Sequence, residues 1–200
     1  RDDGGPALPG ATVADSAAGG MHAVIAILAA LLRRQTNGEG AYLDVSVADG
    51  VLSLMALAIE EHLATGAEPA PGRDLLTGRY ACYDVYRARD GKWLAVGAIE
   101  PVFWTNLCRA LGCEQWIAHQ TDDAAQEKVR ADLRAAFARR DRDAWVAALA
   151  AADTCVAPVY EVSELVRDPH FSARGAFAGG KLGPVLAGQR PAETIREAAR

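Results

Sequence analysis

The sequence predicts an α/β protein, part of a larger lobe followed by a smaller α+β lobe. Three observations predict it. Helical apolar spacing, period-two alternation and helical spacing again succeed one another over residues 16–65. A Gly- and Pro-rich stretch, GAEPAPGRDLLTG at 66–78, then breaks the pattern. Beyond it, two short alternating runs flank Asp90-Gly91, a hairpin signal. The expected divisions are 1–66, 67–165 and 166–200.

Residues 6–15, with two prolines and a glycine, read as a loop. Met21, Val24, Ile25, Leu28, Leu31 and Leu32 follow the i, i+3, i+4 rule, which predicts a helix over roughly 16–35, stopped by Asn37-Gly38. Leu43, Val45 and Val47 alternate with Tyr42, Asp44 and Ser46, which predicts a strand. Val51, Leu54, Met55, Ala58 and Ile59 return to helical spacing over Asp49–Thr65. Past the linker, Tyr80–Ala88 and Lys92–Gly97 are the hairpin strands, joined by a type I′ turn at Asp90-Gly91. A helix over about 101–111 starts at Pro101, whose missing N–H costs little there. Helices near 124–139 and 142–151 follow, the second with Asp141 as its N-cap. CVAPVY at 155–160 reads as a short buried strand. Ser163–Val166 and Pro169–Ala173 read as short helices split by Asp168-Pro169, and 178–200 has no clear periodicity.

The composition excludes several function classes. Half of the 200 residues are hydrophobic and 24% are charged, enough for one globular domain or two small lobes. The net charge is −5 and the pI about 5.4, with no Lys/Arg-rich run, so nucleic acid and anionic membrane surfaces gain no support as partners. An anionic small ligand would need local donors rather than the overall field. The polar opening Arg1-Asp2-Asp3-Gly4-Gly5 is not a signal peptide. No membrane span is expected, because the richest apolar run, Met21–Leu32, is bounded by Gly20 and Arg33-Arg34. Four cysteines without a CxxC pair and four scattered histidines give no metal spacing and no disulfide framework. No metal or cofactor is expected, and a reduced cytoplasmic setting fits best.

Two carboxylates stand at helix starts. Asp15 precedes the first predicted helix and is followed by Ser16 and Gly19-Gly20. It reads as an N-cap, or as an ionised carboxylate poised to act as base or nucleophile. Gly19 and Gly20 would let a ligand approach the backbone. Glu100 ends the apolar run KWLAVGAI and precedes Pro101. It reads as helix-start electrostatics or as a functional carboxylate. His22 on the first helix reads as structural, and the four tryptophans read as core or interface residues. No Ser-His-Asp set, phosphate loop or dinucleotide fingerprint occurs.

The run PGATVADSAAGGMHAVIAILAALLRRQTNGEGAYLDVSVADGVLSL, Pro9–Leu54, resembles the signature of the family III CoA-transferases, the CaiB/BaiF type. Tyr83-Asp84-Val85-Tyr86, Asp90-Gly91 and Val96-Gly97-Ala98-Ile99-Glu100-Pro101 resemble the α-methylacyl-CoA racemase branch of that family. DTCVAPV at 153–159, then Asp168-Pro169-His170 and Arg174-Gly175-Ala176-Phe177, continue the match in order. Ala14 and Ala11 depart from the Gly and Asn frequent there.

The resemblance implies a Rossmann-like large lobe and an interlocked homodimer, with this chain the later portion of a longer protein. It makes 1–66 part of the large lobe, 67–165 the small lobe and 166–200 a segment returning towards the large lobe. It implies that Asp15 is the catalytic aspartate, with Gly19, Gly20 and Tyr83 lining the substrate. Glu100 would orient a histidine base lying upstream of Asp15. The substrate would be an acyl-CoA, and no cofactor is needed. Racemases use the aspartate to remove and return an α-proton. Transferases use it as a nucleophile that forms an acyl-aspartyl anhydride. A third reading is a non-catalytic remnant that serves dimerisation or partner binding.

Overall fold

A computed structural model describes residues 11–178 and 180–183. The chain divides into two compact units at Thr77–Gly78, inside the Gly/Pro-rich stretch.

The first unit is helical. A π-helical segment, Val13–Met21, runs directly into helix α1, His22–Asn37. Gly38, with φ 75°, ends α1 by donating its N–H to the Arg34 carbonyl, as the Asn37-Gly38 pair predicts. The strand expected around 42–47 does not form. Residues 38–46 carry no regular structure, and Ser46 instead caps α2, Val47–Leu54, accepting a hydrogen bond from the Asp49 N–H. A strand needs a ladder partner, and no strand exists among the described residues of this unit. Helical spacing over 49–65 is realised as two helices, α2 and α3 (Ala56–Thr65), interrupted at Met55. A Cβ on Gly50 would overlap the Ala18 backbone carbonyl, so this glycine permits the close crossing of α2 over the π-helical segment. Ala18 and Gly50 are the unit's buried residues among those described.

The helical run Val13–Asn37 corrects the membrane reading of the sequence. It is 25 residues long, and its most apolar 18-residue stretch has a mean hydropathy of 1.6, so it is long and apolar enough to cross a membrane by length and composition. Gly20 does not bound it, because the helix passes through Gly19-Gly20 in π form. A core helix of a soluble protein meets the same test.

The second unit is a three-stranded antiparallel sheet, ordered β1-β2-β3, packed against helices. Strands β1 (Tyr83–Arg87) and β2 (Trp93–Gly97) form the predicted hairpin, with Tyr83 opposite Gly97 and Arg87 opposite Trp93. The turn is not type I′. The Ala88 carbonyl accepts from the Gly91 N–H, and only Gly91 (φ 81°) is left-handed there. A longer loop closed by a glycine bulge results. Strand β3 (Val156–Val159) pairs with β2 and lies at the sheet edge, half-exposed rather than buried. Its Pro158 suits that edge position.

Helix α4, Pro101–Leu111, has the predicted span with Pro101 in its first turn, and Gly112 ends it. A 3₁₀ turn at Glu114–His119 leads to α5 (Gln126–Phe137) and α6 (Arg142–Leu149). Asp141 is the N-cap residue of α6 but makes no capping bond, because its carboxylate binds Arg89 at 2.9 Å instead. Short helices α7 (Val162–Leu165) and α8 (Pro169–Ala173) follow, then a two-stranded hairpin of β4 (Phe177–Ala178) and β5 (Lys181–Leu182). The rest of the C-terminal stretch lies outside the described residues.

Tyr86, Leu94, Trp104, Leu107, Cys108, Val129, Leu133, Phe137 and Trp145 form one continuous core. Phe137 stacks on Tyr86 at 5.0 Å and meets the edge of Trp145 at 5.6 Å. The second unit therefore builds a core of its own. Trp104 and Trp145 belong to the core, whereas Trp93 is 45% exposed.

Candidate functional site

Asp15 is not the helix N-cap. The helix begins two residues earlier, Thr12 is the cap residue, and Asp15 lies in the first turn. Its carboxylate is exposed and makes no hydrogen bond or ion pair among the described residues. The first turn still favours negative charge, because its backbone N–H groups are aimed there. Neighbouring side chains are occupied. The Ser16 and Thr12 hydroxyls pair at 2.6 Å, while His22 Nδ1 reaches the Ala17 carbonyl at 3.0 Å and its Nε2 the Ser53 hydroxyl at 3.4 Å. The two glycines differ. A Cβ on Gly19 would stand 3.1 Å from Val47, so Gly19 serves the packing of α2, whereas Gly20 is exposed.

Glu100 and Tyr83 lie in the second unit, at one end of its sheet. Tyr83 is opposite Gly97 in register, and Glu100 follows three residues after Gly97 as the N-cap of α4. The Glu100 carboxylate makes no capping bond, hydrogen bond or ion pair among the described residues and is exposed.

The backbone around Glu100 is fixed by residues that the sequence does not mark. Gln120 donates to the carbonyls of Ala98 at 3.1 Å and Ile99 at 2.6 Å. Buried Gln126 accepts from the Ala81 N–H at 2.9 Å and donates to the carbonyls of His119, Gln120 and Asp122. Arg130 binds Asp84 at 2.8 Å and the Gly78 carbonyl at 2.6 Å, which pins the approach to Tyr83. Glutamine in a helix-rich segment is ordinarily a surface residue. Only burial and three-dimensional bonding single out these two.

Beside Glu100 runs the loop Asp153–Cys155. Asp153 and Cys155 have φ of 50°, uncommon for residues with a Cβ. The Cys155 carbonyl accepts from the Gly97 N–H at 2.9 Å, and the Asp153 carbonyl accepts from the Asn106 amide at 3.2 Å. Local desolvation, and after it the charges of Glu100 and Asp153, hold the Cys155 thiol above its ordinary pKa. It is a poor nucleophile at neutral pH. Cys82, Cys108 and Cys113 are buried and free, and burial pushes Cys108 up to about 12. No group of three or more His, Cys, Asp or Glu residues that could hold a metal occurs among the described residues. Within each unit, then, a carboxylate without a partner among the described residues stands at a helix start.

The sequence profile of CoA-transferase family III matches residues 1–194. The chain belongs to CoA-transferase family III. The α-methylacyl-CoA racemase of Homo sapiens is 29% identical over 178 residues, covering 88% of this chain and 47% of the racemase. The succinyl-CoA–D-citramalate CoA-transferase of Chloroflexus aurantiacus is 29% identical over 181 residues, covering 87% of this chain and 44% of that enzyme. The crystal structure of Rv3272 from Mycobacterium tuberculosis superposes with a TM-score of 0.72 at 24% identity, over 96% of this chain and 50% of that one. That likeness shows the fold. The chain spans about half the length of the curated relatives it matches. The family and its α/β architecture, expected from the motifs, are thus established.

Proposed function

We propose that this family III chain belongs to an enzyme that removes and returns the α-proton of a 2-methylacyl-CoA thioester. Asp15 acts as one of two bases. The thioester carbonyl acidifies the α-proton, and the enolate-like intermediate carries charge that the site must stabilise. The observation that carries this reading is Glu100, an exposed carboxylate with no partner among the described residues, on a backbone clamped by Gln120. Such a group suits the role the resemblance gives it, accepting a hydrogen bond from the histidine that is the second base. That bond would fix which imidazole nitrogen faces the substrate. Asp15, uncapped and exposed, has both oxygens available to take a proton. Tyr83 and Gly20 would line the acyl-CoA.

The test uses the whole enzyme in deuterated water with a 2-methylacyl-CoA. Asp15→Asn should abolish α-proton exchange without changing the Tm, because an amide cannot take the proton. Near wild-type exchange in that variant would reduce Asp15 to a structural residue.

CoA transfer is the second reading, favoured by the same uncapped Asp15 and by a CoA-transferase relative of equal identity. An Asp15 oxygen would attack the thioester carbonyl, expel the CoA thiolate and leave an acyl-aspartyl anhydride. Hydroxylamine added during turnover separates the two. A hydroxamate at Asp15 indicates transfer, and exchange without an adduct indicates racemisation. The exposed apolar helices of the first unit favour a third reading, a partner-binding piece without activity of its own. On that reading the 200-residue chain alone catalyses neither reaction.

The active form in the first reading is a homodimer in which Asp15 and Glu100 come from two copies of the chain. Co-expressing an Asp15→Asn chain with a Glu100→Gln chain should restore a fraction of the activity through one intact site. Inactive heterodimers that still bind substrate would overturn the shared site.

A further inference from the structure

The hairpin end of the second unit's sheet carries a cleft that the proposed reaction does not use. Strand β1 has five residues. At about 3.3 Å per residue, the cleft lies about 13 Å along it from Tyr83. The cleft has a volume of about 750 Å3 and is formed by β1, the turn and α5. That size lies within the range of small-molecule sites.

Its charge is unlike that of the rest of the chain. The whole sequence carries −5, yet Arg87, Arg89 and Arg134 line this cleft. Asp84 is the one acid lining it, and its oxygens are taken by Arg130 at 2.8 Å and the Val85 N–H at 2.8 Å. Arg89 is held by Asp141. The other two arginines are open. Arg134 is exposed and makes no side-chain hydrogen bond or ion pair among the described residues. Arg87 spends only its Nε, on the Gly91 carbonyl at 3.2 Å, and has no carboxylate partner among the described residues. Exposed Trp93 stands directly opposite Arg87 across the hairpin, on the same outward face.

Two open guanidinium groups beside an exposed indole make a specific combination. A guanidinium presents paired donors that match phosphate oxygens, and an indole face accepts a flat heterocycle. We propose that this cleft binds a nucleoside phosphate, with the phosphates on Arg87 and Arg134 and the base against Trp93.

The test titrates the 200-residue chain with ADP, read by tryptophan fluorescence and by calorimetry. Trp104 and Trp145 are buried, and part-buried Trp116, whose indole N–H is bound to Asp132, lies outside the lining, so quenching by a ligand in this cleft is expected from Trp93. The expected result is saturable binding with Kd below about 1 mM. Arg134→Ala and Arg87→Ala should each weaken it about tenfold. Lys128→Ala, which removes the same charge from exposed α5 surface outside the cleft, should leave it unchanged. Trp93→Phe should lose the quench. If Arg87→Ala fails to fold, Arg134→Ala carries the test, since that side chain makes no hydrogen bond or ion pair among the described residues. No saturable binding, or equal binding by the arginine variants, would overturn the site. Inorganic pyrophosphate binding as tightly as ADP would overturn the role given to Trp93 and with it the nucleoside.

Discussion

In the second unit Trp104, Leu107, Leu133 and Phe137 are fully enclosed, whereas in the first Ile25 is 63% and Leu63 73% exposed. Both units obey the same helical periodicity. In α5, the spaced residues Val129, Leu133 and Phe137 meet a sheet made by the same unit. In α1, Val24, Ile25, Leu28, Leu31 and Leu32 meet solvent. An apolar stripe fixes which side of a helix seeks cover, not which segment supplies it. Relatives about twice as long have further chain available for that purpose.

The contrast can be broken by mutation. Trp104→Ala should have the largest effect, about 3–5 kcal/mol lost from the urea unfolding of the second unit, since it empties the core and removes the bond to the Trp116 carbonyl. Gly50→Val comes next. A side chain there collides with Ala18 and should cost about 1–3 kcal/mol, seen as faster hydrogen exchange confined to residues 13–54. Leu28→Ala and Leu63→Ala should fall within about 0.5 kcal/mol in this chain. A core-sized loss at Leu28 would mean that α1 is covered in solution, and the contrast would fail.

Two further tests sharpen it. Native protein should show one accessible thiol towards a disulfide reagent, Cys155, reacting slowly at neutral pH and faster as pH rises, while Cys82, Cys108 and Cys113 react only on unfolding. Three or four thiols reacting in the native protein would mean that the second unit's core opens readily. The smallest effect concerns acid. Arg142, and after it Lys92, hold the Glu164 carboxyl well below the usual carboxylate range. A depressed folded value stabilises above the unfolded value of about 4.3 and loses that stabilisation as pH falls through the folded value. The Tm of the second unit should therefore drop below about pH 4. Glu164→Gln should lower the Tm at neutral pH and flatten the acid dependence. An unchanged acid limb would assign the drop to other groups.

Local chemistry that decides its own outcome was legible in the sequence. Asp90-Gly91 marks the hairpin, Pro101 starts α4, and Asp168-Pro169 starts α8. The strand at 42–47 was not legible, because alternation in Leu43, Val45 and Val47 says nothing about whether a neighbouring strand exists to pair with. Instead Ser46, placed three residues before Asp49, starts a helix. At the candidate sites the sequence offers Asp15, Glu100, Gly19, Gly20 and Tyr83 through motif likeness. It does not offer Gln120, Gln126 or Arg130, whose roles arise from bonds to groups 21 to 52 positions away and, for Gln126, also to carbonyls four to seven positions back. The turn type failed for a similar reason. Asp90 spends its carboxylate on the N–H groups of Lys92 and Arg142, which ties a longer loop to α6.

The glutamine clamp has a consequence for any rate measurement on the full enzyme. Side-chain amides neither gain nor lose protons between pH 3 and 11, on the order of the whole working range of an enzyme. The bonds that hold the segment before Glu100, from Gln120 and in turn from Gln126, carry no titration of their own. The titratable pair in that same turn is His119 with Asp122, and the histidine holds the Asp122 carboxyl below its ordinary range. A bell-shaped activity profile would then report the ionisation of reacting groups, with only the loss of the His119–Asp122 pair in acid reaching the frame that holds Glu100.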